Sequence, residues 1–160
     1  MENKKVRNAR ESEYDGIKFK SELEKYIYKN LVAGGFNPRY EPETFVVWKG
    51  VKPATRFYTQ RKNRTTKRNE LVINSAKLQD IEYTPDFVLD YEGIKVIIEA
   101  KGFPNELYTL RRKLFRAYLE TLDYPVVFAE IHSIKHLRDF IEILKNESNQ
   151  IKMEYEQRGT

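Results

Sequence analysis

The run Tyr83-Thr84-Pro85-Asp86-Phe87-Val88-Leu89 continues through Asp90-Tyr91-Glu92-Gly93 into Ile94-Lys95-Val96-Ile97-Ile98-Glu99-Ala100-Lys101-Gly102. Phe87-Val88-Leu89 and Ile94 to Ile98 are strand-like words, and the turn residues between them predict a β-hairpin. The second word is apolar at nearly every position, as expected of a strand covered on both faces in the middle of a sheet. Its end is different in kind. Glu99 and Lys101 are two residues apart and share one face, while Ile98 and Ala100 take the other. A turn centred near Tyr91-Glu92 brings Asp86 within a residue or two of facing Glu99. Two carboxylates so close repel unless a cation lies between them. A hard divalent ion such as Mg²⁺ fits, with oxygen ligands from carboxylates, water and phosphate. Lys101 then lies where an ammonium can help form or hold an attacking water. The same three residues also read as a turn acid and an edge ion pair.

Outward from the hairpin, the chain alternates helix and strand. Leu23, Ile27 and Leu31 recur at helical spacing between Ser21 and Val32, and Gly34-Gly35 ends that helix. Thr44 to Trp48 reads as a strand. After Gly102 and Pro104, Asn105 to Leu122 repeats Leu107, Leu110, Leu114 and Tyr118 on one helical face, with Arg111, Arg112, Lys113 and Arg116 beside it. Pro125 to Ile131 reads as a buried strand, and Ile134, Leu137, Ile141 and Leu144 mark a last amphipathic helix. The predicted order is α-β-β-β-α-β-α, an α/β fold with a central mixed sheet flanked by helices. Residues 1–13 read as a mobile tail, residues 14–145 as one domain with a basic insertion at about 49–80, and residues 146–160 as a polar C-terminal tail.

A length of 160 residues suits one domain, and 33% charged residues with 40% hydrophobic ones leave enough for a core. No apolar run approaches the roughly 20 residues of a membrane span, and the first 15 residues lack the apolar core of a secretory signal. Zero cysteines exclude disulfides, thiolate metal sites and thiol nucleophiles, and fit a reducing compartment such as the cytoplasm. The net charge of +5 conceals an asymmetry. Lys49 to Arg68 holds eight cations and no carboxylate, so the rest of the chain carries a net −3. Such a segment reads as a polyanion contact, with Arg56, Arg61, Lys62, Arg64, Lys67 and Arg68 as candidate phosphate ligands, or as a solvated loop. Arg112 and Lys113 on the later helix invite the same pair of readings. His132 and His136 lie far in sequence from the carboxylates and read as structural. Trp48 and Tyr58 read as core rather than as base-stacking aromatics, with Tyr58, inside the basic segment, the one to test for stacking.

Pro85-Asp86 followed by Glu99-Ala100-Lys101 has the form of the PD-(D/E)xK motif. The surrounding words, together with Ser21-Glu22-Leu23-Glu24, resemble the active-site strands and first helix of the phage endonuclease I family of Holliday-junction resolvases. Asp15-Gly16-Ile17-Lys18-Phe19 and Tyr108 to Phe115 resemble segments of small phage nucleases related to it. The resemblance runs from about Asp15 to Tyr118 and omits the basic segment, where the interval between Glu24 and Asp86 is longer than in that family. It implies a restriction-endonuclease-like core and a metal-dependent endodeoxyribonuclease acting on branched DNA as a homodimer, in the host cytoplasm if phage-encoded. It further implies that Asp86, Glu99, the carbonyl of Ala100 and Glu24 hold Mg²⁺, for which Mn²⁺ substitutes, and that Lys101 assists the nucleophilic water. Glu24 has a second reading as the acidic member of a Ser21-x-x-Glu24 capping box, and Glu22 is a competing carboxylate on the same helix. The alternative for the whole chain is a nucleic-acid-binding protein on a nuclease-like fold that does not cut.

Overall fold

The computed structural model describes residues 10–102 and 105–158. Its elements, in chain order, are β1 (Ser12–Tyr14), β2 (Ile17–Phe19), α1 (Glu22–Ala33), β3 (Arg39–Tyr40), β4 (Phe45–Trp48), β5 (Tyr58–Lys62), β6 (Asn69–Ile73), β7 (Ile81–Tyr83), β8 (Phe87–Tyr91), β9 (Ile94–Ala100), α2 (Glu106–Leu119), β10 (Val126–Ile131) and α3 (Ile134–Arg158). The central sheet has the order β10-β9-β8-β3. It is mixed: β9 is parallel to β10 and antiparallel to β8, and β8 is antiparallel to β3. The parallel pair is joined by α2, the crossover that such a pairing requires.

Alternation along β8 and β9 splits the core into two layers. Phe87, Leu89, Ile94, Val96 and Ile98 face α1 and α3, where they bury Ile27, Leu31, Leu137 and Leu144. Val88 and Ile97 face the other way, towards α2 and the β4–β7 pair, with Phe45, Tyr83, Phe115 and Leu119. The Phe115 ring stacks on Tyr83 at 4.2 Å between centroids, which ties α2 to the start of the hairpin. Ala100 belongs to the first layer with Ile98, so Glu99 and Lys101 fall on the α2 side.

Several expectations need correction. Residues Ser12 and Glu13, assigned to a mobile tail, pair with β2 in a small hairpin; residues 1–9 lie outside the described residues. The polar stretch from Asn146 is not a tail, because α3 continues to Arg158. Its packing stripe there includes Ser148, which is buried and donates to Glu92 Oε2 at 2.6 Å. The inner face of α2 is rotated from the predicted one. Tyr108, Phe115 and Leu119 are buried, while Leu107 and Leu110 are about half exposed. β10 lies at the sheet edge and is only partly buried until Ile131. Trp48 is likewise partly exposed rather than a core residue. Pro104 lies outside the described residues.

The basic segment is a two-stranded ribbon, β5 paired with β6 in a sheet of its own. Its base is clasped where the Asp80 carboxylate accepts the Gly50 N–H at 2.8 Å and the Lys49 ammonium at 2.8 Å, and where the Leu78 N–H donates to the Val51 carbonyl at 2.9 Å. These bonds close the segment that carries the ribbon at its base. At its tip Asn63 Oδ1 accepts the amides of Thr65 and Thr66, a side-chain turn that lets Lys67 adopt φ 60°. Among the described residues, no helix is long and apolar enough to cross a membrane.

Candidate active site

The hairpin register pairs Phe87 with Ile98, so one step outward Asp86 faces Glu99. Asp86 Oδ2 accepts the Ala100 N–H at 2.7 Å, which pins this carboxylate across the end of β9. Burial, and then the charges of Glu99 and Glu24, hold the Asp86 carboxyl well above its usual range; the Ala100 amide opposes them without prevailing. Glu99 is 9% exposed, and its Oε2 accepts the Tyr83 hydroxyl at 2.9 Å. Burial pushes its carboxyl up to about 7. The Tyr83 bond and the Lys101 charge pull it down, and Glu24 and Glu130 push it up.

Lys101 Nζ lies 3.9 Å from Glu99 Oε1, at the outer limit of an ion pair. It also lies 3.9 Å from the centre of the Tyr108 ring, within the range of a cation–π contact. The Tyr108 hydroxyl donates to Glu130 Oε2 at 2.6 Å, and the same oxygen accepts Arg112 Nη1 at 2.8 Å. Glu130 is the parallel-strand neighbour of Glu99. Its own burial would raise its carboxyl, but the bonds from Tyr108, Arg112 and His132 together lower it, so it stays ionised.

Glu24 satisfies both readings of the first-helix motif. Ser21 is the N-cap of α1, and its Oγ accepts the Glu24 N–H at 3.2 Å. The Glu24 carboxylate turns back, accepting Ser21 Oγ–H at 2.8 Å on Oε1 and both the Lys20 N–H at 2.9 Å and the Tyr40 hydroxyl at 2.6 Å on Oε2. It is nonetheless 7% exposed and near enough to Asp86 and Glu99 for its charge to act on both. Glu22 points elsewhere and pairs with Lys25 at 2.7 Å on the same helix.

The structure therefore gathers Glu24, Asp86, Glu99, Ala100 and Lys101 at one end of β8 and β9. Arg112 donates to Glu130 through Nη1 and keeps a partly exposed side chain beside the site. Lys113 is exposed on α2. Arg56, Arg61, Lys62, Arg64, Lys67 and Arg68 are exposed on the ribbon and the chain leading into it. His132 bonds Glu130 at 2.9 Å and meets His136 edge to face. Sequence reasoning missed Tyr83, Tyr40, Tyr108 and Glu130. The available signal for Glu130 was that it is the single carboxylate in the apolar run Val126 to Ile131, as Glu99 is in Ile94 to Ala100.

The donor set is made of hard oxygens with too little positive charge to balance them, which suits Mg²⁺ or Mn²⁺. Among the described residues no three His, Cys, Asp or Glu side chains are grouped as a ready metal cage. A divalent ion would need only two carboxylates and a carbonyl from the chain, because water and substrate oxygens commonly complete the shell of Mg²⁺. Compared with known proteins, the chain matches no protein-family model and no curated protein, so what the site can do rests on its residues and their geometry.

Proposed function

We propose that this protein is a metal-dependent endodeoxyribonuclease on a restriction-endonuclease-like core, which hydrolyses DNA phosphodiesters and acts on branched DNA. The observation that carries the reading is the facing pair Asp86 and Glu99, both held above the usual carboxylate range at the end of a buried strand with Lys101 beside them. Strongly perturbed carboxylates beside one lysine are costly for folding and suited to catalysis. Asp86, Glu99 and the Ala100 carbonyl would hold Mg²⁺, or Mn²⁺ in its place, with Glu24 as a further carboxylate. When bound, such an ion neutralises the carboxylates, lowers the pKa of water and polarises a phosphoryl oxygen.

The chain's own groups then have distinct tasks. The Ala100 N–H orients Asp86, and the Tyr83 hydroxyl orients Glu99. Lys101, steadied on the Tyr108 face, positions the attacking water and offers positive charge to the phosphate as negative charge develops there. Lys113 and the cations of the ribbon hold the DNA backbone, and Glu130 keeps Arg112 beside the site. Two cuts on opposing strands of a junction would call for a homodimer.

A second reading, a binding protein that does not cut, draws support from Glu24, whose carboxylate oxygens are both committed to Lys20, Ser21 and Tyr40. Incubating a four-way junction and a supercoiled plasmid with the protein in Mg²⁺, in Mn²⁺ and in EDTA separates the two. Metal-dependent cleavage abolished by Lys101→Ala is expected. Intact DNA in both metals, with binding retained, would leave the second reading standing.

A further inference from the structure

The ribbon is the least self-sufficient part of the molecule. Among the described elements, β5 and β6 have only each other as packing neighbours of any extent, and an isolated two-stranded hairpin is marginal in water. Strand pairing puts Tyr58, Gln60 and Lys62 on one face with Ile73, Leu71 and Asn69. On that face Tyr58 is 51%, Leu71 73% and Ile73 54% exposed. A face with three large apolar side chains open to water is built to be covered.

Charge decides between occupants. Between Arg56 and Ile73 the chain has six cations and one carboxylate, and that carboxylate, Glu70, is bonded by Asn63 at 2.9 Å. Two such ribbons packed face to face would bring like charges together, so a second copy is disfavoured. A polyanion is favoured. The major groove of duplex DNA admits a two-stranded β-ribbon, where Gln and Asn can read adenine and apolar side chains meet thymine methyls. The exposed face presents this mixture, Gln60 and Asn69 beside Leu71, with Arg64, Lys67 and Arg68 at the tip to reach flanking phosphates.

We propose that the β5–β6 ribbon inserts into the major groove of a DNA duplex, with the Tyr58, Gln60, Leu71 and Asn69 face towards the base edges and the tip cations on the backbone. The inference deepens the nuclease reading by assigning the duplex-recognition element, and it rests on that reading only for DNA as the ligand. It makes recognition partly dependent on base identity in a duplex arm.

The test uses the full chain in EDTA, where no strand is cut whether or not the nuclease reading holds. Binding to a random-sequence duplex library and to one fixed duplex is measured across a salt series. Arg64→Ala/Lys67→Ala/Arg68→Ala should reduce the slope of log affinity against log salt by about 3, with the thermal midpoint unchanged. Gln60→Ala/Asn69→Ala should keep that slope and lose roughly 10-fold in discrimination between selected and unselected sequences. Methylation of guanine N7 should interfere with binding. An unchanged salt slope in the triple variant, interference from adenine N3 methylation alone, or a dimer that Leu71→Ser dissociates without changing DNA affinity would each overturn the proposal. Cleavage in a separate incubation with Mg²⁺ or Mn²⁺ alongside any of these results would leave the nuclease reading intact, and groove binding in EDTA with no cleavage in either metal would remove the nuclease reading alone.

Discussion

The ammonium of Lys101 rests 3.9 Å from the ring centre of Tyr108, on the first turn of the helix that follows the hairpin. The contact gives the lysine a fixed seat beside Glu99 without neutralising it, since a ring face attracts a cation and carries no net charge. The seat is itself fixed, because Glu130 accepts the Tyr108 hydroxyl.

Tyr108 is therefore a positioning residue for Lys101. Tyr108→Leu is expected to lower single-turnover cleavage about 10-fold, in line with a cation–π contact of roughly 1–2 kcal/mol, while DNA affinity stays the same. Tyr108→Phe keeps the ring and should recover most of the rate at a stability cost of about 1 kcal/mol from the lost bond to Glu130. Equal rates for Leu and wild type, measured on a labelled junction, would show that the ring does not hold the lysine.

The two facing carboxylates make metal-free stability depend on pH. Glu99 has a folded-state pKa of about 7 against an ordinary 4.5, so the fold favours its protonated form. That contribution is fully present below about pH 4.5 and is lost as pH rises through 7. Asp86 acts in the same direction. Urea unfolding in EDTA should show stability falling by about 3 kcal/mol between pH 5 and pH 8. Glu99→Gln, which can still accept the Tyr83 hydroxyl, should remove the Glu99 share of the difference and leave the share that burial of Asp86 contributes. Millimolar Mg²⁺ should restore stability at pH 8 and matter little at pH 5. A flat profile that Glu99→Gln leaves unchanged would contradict the assigned environment.

Glu24 serves the helix and the site at once, and substitutions can separate the two. Ser21→Ala should cost about 1 kcal/mol through the lost N-cap. Glu24→Ala should cost about 1–2 kcal/mol, because it removes the acceptor of the half-buried Tyr40 hydroxyl and one acceptor of the Lys20 amide. Glu24→Gln retains an acceptor but not the charge, so it should be nearly neutral for stability at pH 5. At pH 8 it should be stabilising in EDTA, because it relieves Asp86 and Glu99. Denaturation of the three variants at both pH values checks the pattern, and a Gln variant as unstable as the Ala variant would place the role of Glu24 in the helix alone.

The hairpin was legible because its information is local: an apolar run, a turn, and a parity that puts Glu99 and Lys101 together. The first helix was legible for the same reason, with Ser21 at its cap and Gly34-Gly35 at its end. The face of α2 was not. Its leucines and its aromatics lie on two overlapping helical stripes, and the choice of Phe115 and Leu119 over Leu107 and Leu110 depends on what the opposite layer supplies, notably Tyr83 and Phe45. Glu130 was hidden similarly, since its place beside Glu99 follows from the parallel crossover rather than from any nearby spacing. The extent of α3 was obscured by Ser148, a polar residue on the packing face whose partner, Glu92, lies in the hairpin turn.

Gly50 governs how the ribbon is carried. A Cβ built there would lie 2.1 Å from the Leu78 carbonyl oxygen and 2.6 Å from the Gln79 carbonyl carbon, both backbone atoms that cannot swing aside. Gly50→Ala must therefore separate the two chains at the base of the inserted segment and strain the bond from the Gly50 amide to Asp80. The central sheet and the core layer against α1 and α3 lie away from this crossing, which adjoins the β4–β7 pair. The expected result is faster trypsin cleavage at Arg and Lys between Lys52 and Lys77, with the remaining fragments still associated and the circular dichroism of the helices retained. Asp80→Asn, which keeps an acceptor for the Gly50 amide but weakens the Lys49 pair, should be much milder. Protease sensitivity of Gly50→Ala equal to wild type would show that the clasp does not hold the arm. Loss of helical signal in that variant would show that the inserted segment is coupled to the core more closely than its packing implies.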